Sequence, residues 1–385
     1  MKINKTIPIS FAILIAIVAA FGAGFWLHAE MYPTQAHFPV LTEAYQIIQE
    51  HGYENIPESP TLEYGAIYGL IGAYGDQHTH FFEPVQAELN NDSLSGSYGG
   101  IGAQLGRDSG GFIVLHPFPE SPASESGLQD GDRLLFVDGM PITPESTIEQ
   151  VIAMIRGPQG KNSKITIARP PNFVEMEFSI KRANIPLPSV MYHLDSSEPR
   201  MGVVRINVIA SSTPDEIQDA VKELQTRGAT HFTLDLRGNG GGLLNEGVEI
   251  ARIFLKDGVV IQHQYKDENI KTYEVKKNGP LTQIPLAILI DSNTASAAEI
   301  ISGALQHQER APLIGTQSFG KDSIQLVYEL SDKSSLHVTS AKWWVPGLFP
   351  PIGEGGLVPD ISVSTDNTFE YDPFIDAAIE YFFGN

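Results

Sequence analysis

Seven residues, Pro285-Leu-Ala-Ile-Leu-Ile-Asp291, form an unbroken apolar run closed by a single carboxylate, and they constrain the fold more than any other stretch. A run of that length without polar alternation is a strand buried on both faces. Asn293-Thr294-Ala295-Ser296-Ala297-Ala298-Glu299 follows, with Asn293 or Thr294 able to cap a helix. A second strand is expected at Ala311–Gly315 and, beyond Lys321, a third at Ile324–Leu330. Strand, helix and strand in that order demand a sheet with helices packed against it.

A serine at such a strand-to-helix corner sits where the unpaired backbone N–H groups of a first turn can receive a developing oxyanion. Its hydroxyl needs a base, and a lysine serves only when a dry pocket keeps it neutral. Ser296 and Lys321 are therefore a candidate nucleophile and general base. The competing reading makes Ser296 a small packing residue and Lys321 a solvated loop charge. From these two residues alone, packing is the weightier reading.

Five further pieces stand in order along the chain: GLQDGDRLLFVDG at 127–139, IRGPQG at 155–160, LDLRGNGGGLL at 234–244, TASAAEIISGALQ at 294–306 and FGKDSIQ at 319–325. Together they resemble the carboxyl-terminal processing peptidases, serine endopeptidases that carry a PDZ domain. The resemblance implies Ser296 as nucleophile, Lys321 as base and Gln325 as the residue that holds the lysine. It also implies an oxyanion hole from the amide of Ala297 and that of Gly241 or Gly242. Two departures stand out: Asp322 follows the lysine where glycine is common, and Gly238 replaces a polar residue. A carboxylate reaching Lys321 would hold it charged. Strand alternation is expected to point Asp322 the other way.

The chain of 385 residues is long enough for two or three domains. Residues 1–30 form a segment of their own: Lys2 and Lys5 precede Ile7–Leu27, which carries no charge. Residues 7–27 are read as a membrane anchor with the lysines inside, the alternative being a cleaved signal segment ending near Ala20–Gly24. Either places the rest of the chain outside the cytoplasm, anchored to the membrane or secreted. Residues 31–87 read as helical, with apolar faces in 42–51 and 62–73 broken by Pro57 and Pro60.

Residues 88–183 read as a small PDZ-like α+β domain, with turns at Arg107–Gly111, Gly127–Asp132 and Asp138-Gly139 and a helix carrying Ile148, Val151, Ile152 and Ile155. PDZ modules take a peptide as an added strand and its carboxylate in a nest of backbone N–H groups. Gly99, Gly100, Ile101 and Gly102 are the candidate nest, and Ile101, Ala103 and Ile152 the candidate pocket. Residues 184–385 read as the α/β peptidase domain, within which Asp235 and Arg237 are expected to be a structural ion pair.

Several functions fall away. A net charge of −21 argues against nucleic acid. The absence of cysteine removes disulfides, a thiol nucleophile and a lipidated-cysteine anchor. Gly315-Thr-Gln-Ser-Phe-Gly-Lys321 approaches a phosphate loop, yet Asp322 replaces the hydroxyl and a strand follows, so no nucleotide is expected. Asp108-Ser-Gly-Gly111 echoes another protease class but reads as a turn. His78 and His80 lack further ligands, so neither metal nor cofactor is assigned. The expected partners are proteins or peptides with accessible C-termini. The function expected is that of a serine endopeptidase, the alternative being a weak or inactive peptide-binding adaptor.

Overall fold

The computed structural model describes residues 38–57, 60–364 and 372–384. The expected membrane or signal segment at 7–27 lies outside the described residues. Among those described, no helix is long and apolar enough to cross a membrane. The part before Ile67 is a unit by itself. It contains helix α1 (Pro39–His51), exposed along its whole length, and the start of α2 (Thr61–Tyr74).

In the remainder, β1 (His80–Phe82) leads to α3 (Pro84–Ser95), a helix that runs through position 88. The PDZ part follows: β2 (Ser97–Gly100), β3 (Ala103–Arg107), β4 (Ile113–Pro117), α4 (Pro122–Glu125), β5 (Asp132–Val137), β6 (Met140–Pro141), α5 (Ile148–Ile155), β7 (Asn162–Arg169), β8 (Val174–Lys181) and β9 (Ala183–Pro186). Its sheet runs β3-β4-β5-β7-β8, so β3 is an edge, and α5 packs beside it. Thr147 caps α5, accepting from Gln150 N–H, and Val151 and Ile155 carry the helix into the core. Asp108–Gly111 is the β3–β4 turn, as the sequence led us to expect.

The last part holds β10 (Val190–Leu194), β11 (Met201–Ile206), α6 (Thr213–Thr226), β12 (His231–Asp235), α7 (Leu244–Phe254), β13 (Val259–Tyr265) and β14 (Lys271–Glu274). It continues with β15 (Leu286–Ile290), α8 (Ala297–His307), β16 (Leu313–Gly315), β17 (Ser323–Glu329), β18 (Ser335–Trp344), β19 (Ile361–Ser362) and α9 (Pro373–Phe383). One sheet, β10-β11-β12-β15-β16-β19, is parallel from β11 onward. The apolar run explains its layering. Leu286, Ile288 and Ile290 enter a core shared with α6, α7 and α8, whereas Ala287 and Leu289 meet Phe374 and Ala378 of α9. Both faces are covered, so the strand has no polar side.

A second, antiparallel sheet orders β1-β18-β13-β14, with β17 added on β18. The sequence reading did not include β18, β10, β9 or α9. Ser335–Trp344 lacks clean alternation because burial along it is mixed and its register with β17 slips between Ile324 and Gln325. The helix start is also corrected. Neither Asn293 nor Thr294 caps α8; Ser296 occupies the N-cap. The Thr294 hydroxyl is spent on the Leu236 carbonyl at 2.9 Å, tying the turn to the glycine loop instead.

Candidate active site

Ser296 stands between β15 and α8 with φ 55° and ψ −119°. That backbone conformation is rare for a residue with a side chain, costs about 1–3 kcal/mol and persists only where neighbours enforce it. Here they do. Ala295 N–H donates to the Asn239 carbonyl at 2.9 Å, and Phe319 N–H donates to the Thr294 carbonyl at 3.0 Å. Ser296 N–H donates to Glu299 Oε2 at 2.9 Å.

Glu299 is fully buried and gathers more than that one bond. Its Oε1 accepts from Ser318 Oγ at 2.6 Å and Gly320 N–H at 2.7 Å, and its Oε2 accepts from Lys321 N–H at 2.9 Å. One carboxylate thus fixes the serine turn against the lysine loop. Sequence reasoning missed this role, although Ser296 and Glu299 have the spacing of a capping box.

Lys321 and Ser296 line one cavity of about 270 Å³ with Gln325, Ile300, Leu244 and Trp343. The Lys321 amine donates to Gln325 Oε1 at 2.9 Å and, in this conformation, forms no hydrogen bond with the Ser296 hydroxyl. Burial pushes the amine below the ordinary lysine value, against the opposing charges of Asp76 and Glu299. Asp322 points away as alternation requires, its carboxylate paired with Lys342. The lysine therefore has an amide, not a carboxylate, as its side-chain partner. His337, also absent from the sequence reading, lines the cavity; burial, His80 and Lys321 hold its pKa down and leave it neutral near pH 7.

The glycine loop is built close against the serine. A Cβ at Gly241 would lie 2.9 Å from Ser296 Cβ and 3.0 Å from Ala297 N. Gly241 N–H is already donated to Asn239 Oδ1 at 2.8 Å. Gly242 lines the cavity, and among the described residues its N–H has no acceptor. Ala297 N–H opens the first turn of α8, where no intrahelical acceptor exists. Asn239 itself is fully buried and anchored by Nδ2 to the Ile206 carbonyl at 2.8 Å. Gly241→Ala is expected to push the serine turn outward, because φ is +104° and backbone atoms bound the space. A displacement near 1 Å costs on the order of 10²-fold in rate. Steady-state kinetics on the variant measure it; less than a threefold loss of kcat would contradict the close-packing argument.

Asp235 and Arg237 form a bidentate ion pair that Asp372 extends from the start of α9. In the PDZ part, Gly99 and Gly100 sit within the β2–β9 strand pair. Ile101 is 1% exposed in the domain core, Gly102 turns the chain with φ +73°, and Ala103 opens β3. Ile152 lies half-buried on α5, the helix beside that edge. His78 and His80 stand at and just before β1, and among the described residues no three His, Asp or Glu side chains are grouped as for a metal.

Comparison with known proteins agrees with this architecture. Residues 200–363 match the model of peptidase family S41, and residues 116–169 match a PDZ domain. The carboxyl-terminal-processing protease of Picosynechococcus sp. is 33% identical over 300 residues, covering 77% of this chain and 72% of the relative. Carboxy-terminal processing protease CtpA of Bacillus subtilis is 31% identical over 307 residues, covering 80% of this chain but 65% of the relative. A solved photosystem II D1 C-terminal processing protease is 27% identical, covering 83% of this chain and 86% of that one, with a TM-score of 0.45. With 33% identity over 300 aligned residues and 72% of such a relative covered, the chain belongs to the carboxyl-terminal processing proteases, PDZ-bearing serine peptidases of family S41.

Proposed function

We propose that this chain is a serine endopeptidase in which Ser296 attacks the scissile carbonyl and Lys321 takes the hydroxyl proton. Gln325 holds the lysine. The tetrahedral oxyanion receives the N–H groups of Ala297 and Gly242 rather than that of Gly241, which Asn239 engages. Lys321 passes its proton to the departing amine, leaving an acyl-enzyme. Water then adds to the ester carbon while Lys321 accepts its proton, and Ser296 leaves with a proton returned. The Ser–Lys contact is expected to close when substrate occupies the cavity, since catalytic hydrogen bonds tighten in the reacting complex.

The observation that carries this reading is a partly buried lysine whose partner is a neutral amide and whose pKa is depressed by burial. The pairing of Asp322 with Lys342 leaves that carboxylate engaged away from Lys321, which supports the peptidase reading over the adaptor alternative. Substrates are proposed to be extracytoplasmic proteins whose C-terminal or unfolded segments the PDZ domain takes up through Ile101–Ala103 and Ile152; Gly99 and Gly100, expected in the carboxylate nest, belong instead to strand β2, which leads into that segment. Residues 7–27 are proposed to anchor the chain, or to direct its secretion if cleaved.

Covalent trapping tests the chemistry. A fluorophosphonate is expected to add to Ser296 and to stop casein hydrolysis in proportion to labelling; hydrolysis by fully labelled protein would end the proposal. The pH profile tests the base. Only neutral lysine accepts a proton, so kcat/KM is expected to rise with pH on a limb centred below the ordinary lysine value of 10.5. A profile flat through that limb would remove Lys321 from the mechanism.

A further inference from the structure

The segment Gly75–His80, whose histidines the sequence leaves without a role, docks on the strand beside Lys321 and brings a carboxylate with it. β18 is flanked on one side by β17, with Gln325 opposite Thr339 and Val327 opposite His337. On its other side β1 pairs with Ser335–His337 and β13 with Ala341–Trp344. Thr339 falls in the gap between those two strands, and its N–H donates to Thr79 Oγ1 at 3.3 Å. Thr79 is buried, and its hydroxyl donates onward to Asp76 Oδ2 at 2.6 Å. His78 N–H reaches Asp76 Oδ1 at 3.4 Å.

Directly opposed residues of an antiparallel pair are side-chain neighbours on one face. The row Asp76, Thr79, Thr339 and Gln325 therefore crosses β18 and ends at the Lys321 amine, which donates to Gln325 Oε1. Burial works to raise the Asp76 carboxyl, but the nearby Thr339 and Thr79 hydroxyls and the His78 N–H outweigh it and hold the group below the ordinary aspartate value. Asp76 is thus ionised at neutral pH. Burial lowers the proton affinity of Lys321, and the charge of Asp76 opposes it, ahead of that of Glu299. The amine's own hydrogen bond goes to Gln325, so Asp76 acts across a gap and not by contact. A touching carboxylate would pin the proton on the lysine. With none, burial would stand unopposed and leave the base weak.

We propose that Asp76 is a positioning residue of the catalytic pair, its carboxylate fixed by Thr79 beside β18 so that its charge sets the strength of Lys321 as a base. The proposal rests on the peptidase reading and adds to it a residue from outside the segment 200–363 that matches the peptidase family. The other titratable groups around the amine are accounted for. Burial and Lys321 hold His78 below the ordinary histidine value, and burial, His80 and Lys321 do the same to His337, so both are neutral where lysine titrates. Lys342 on β18 is paired with Asp322. Glu299 on α8 is engaged by Ser318 Oγ and by the N–H groups of Ser296, Gly320 and Lys321.

Asp76→Asn keeps the size of the side chain and removes its charge. In the full chain, the rising limb of casein kcat/KM is expected to move to lower pH by about half a unit or more, and the plateau to fall about tenfold because a weaker base is left. Asp76→Glu is expected to bring the limb back toward its original place. A purely structural loss would lower the whole profile without moving its limb, so an unmoved limb in folded Asp76→Asn overturns the proposal. Should that variant misfold, Thr79→Val decides, since it keeps the carboxylate but cuts its tether. The limb is expected to move the same way, and an unmoved one again overturns the proposal. If the unaltered protein neither cleaves casein nor takes up fluorophosphonate, the peptidase reading fails separately. Asp76 is then judged by the titration of the Lys321 amine itself, followed by NMR of isotope-labelled lysine and assigned with Lys321→Met. A midpoint that Asp76→Asn lowers supports the proposal, and one that it leaves in place overturns it.

Discussion

Exchanging Lys321 for arginine is expected to stop peptide hydrolysis, lowering kcat by about 10³–10⁴-fold although charge and reach are nearly kept. A guanidinium has no neutral form near physiological pH and can donate but never accept. The Lys321 amine differs because burial already works against its charge. Its partner, Gln325 Oε1, orients the amine without a full negative charge to hold the proton there. Lys321→Met is expected to lose as much, because it too lacks a base, although it lacks the charge as well. The pair of variants therefore separates proton transfer from simple cationic stabilisation of the oxyanion: if charge were the contribution, arginine would rescue and methionine would not. Casein hydrolysis, with the rate of fluorophosphonate labelling of Ser296, measures both. Retention of a tenth of the activity by the arginine variant would refute a base role for Lys321.

Much of this site was legible in the sequence because its parts are local. The corner at Ser296 follows from an apolar strand running into an Ala-rich helix, and both elements form, the helix starting later than a cap at Asn293 or Thr294 would place it. Asp322 faces away because strand alternation is a local rule. The parts that were not legible are those made by distant residues. Only folding brings β18 beside β17, and with it His337 and Trp343 into the cavity. Asn239, whose side chain curls back two residues to accept Gly241 N–H, cannot be oriented from sequence. Capping illustrates the competition most directly. Thr294 has the right chemistry for an N-cap, but the Leu236 carbonyl on the neighbouring strand claims its hydroxyl, and the helix begins at Ser296.

Glu299→Ala is expected to be the most damaging change that touches no proposed reacting atom. As an acid in the first turn of α8 it resembles an ordinary favourable helix charge, worth under about 1 kcal/mol. The structure gives it a larger task, because four donors converge on it from two chain segments: Ser296 N–H, Ser318 Oγ, Gly320 N–H and Lys321 N–H. Truncation leaves these without an acceptor where the side chain is fully buried. An orphaned buried polar group costs about 1–3 kcal/mol, and allowing for relaxation and entering water the total is about 3–5 kcal/mol. The same loss frees the strained Ser296 turn to relax away from φ 55° and lets the Lys321 loop drift from it. Activity is therefore expected to fall by about 10²-fold or more even in the folded fraction at low temperature. Glu299→Gln is a sharper probe. It keeps volume but replaces one accepting oxygen with an NH2 that faces donors, so it should recover packing without recovering the network. Thermal unfolding and kcat measured on both variants decide the matter. A glutamine variant with unaltered melting temperature and unaltered kcat would show that the carboxylate does not hold the serine against the lysine.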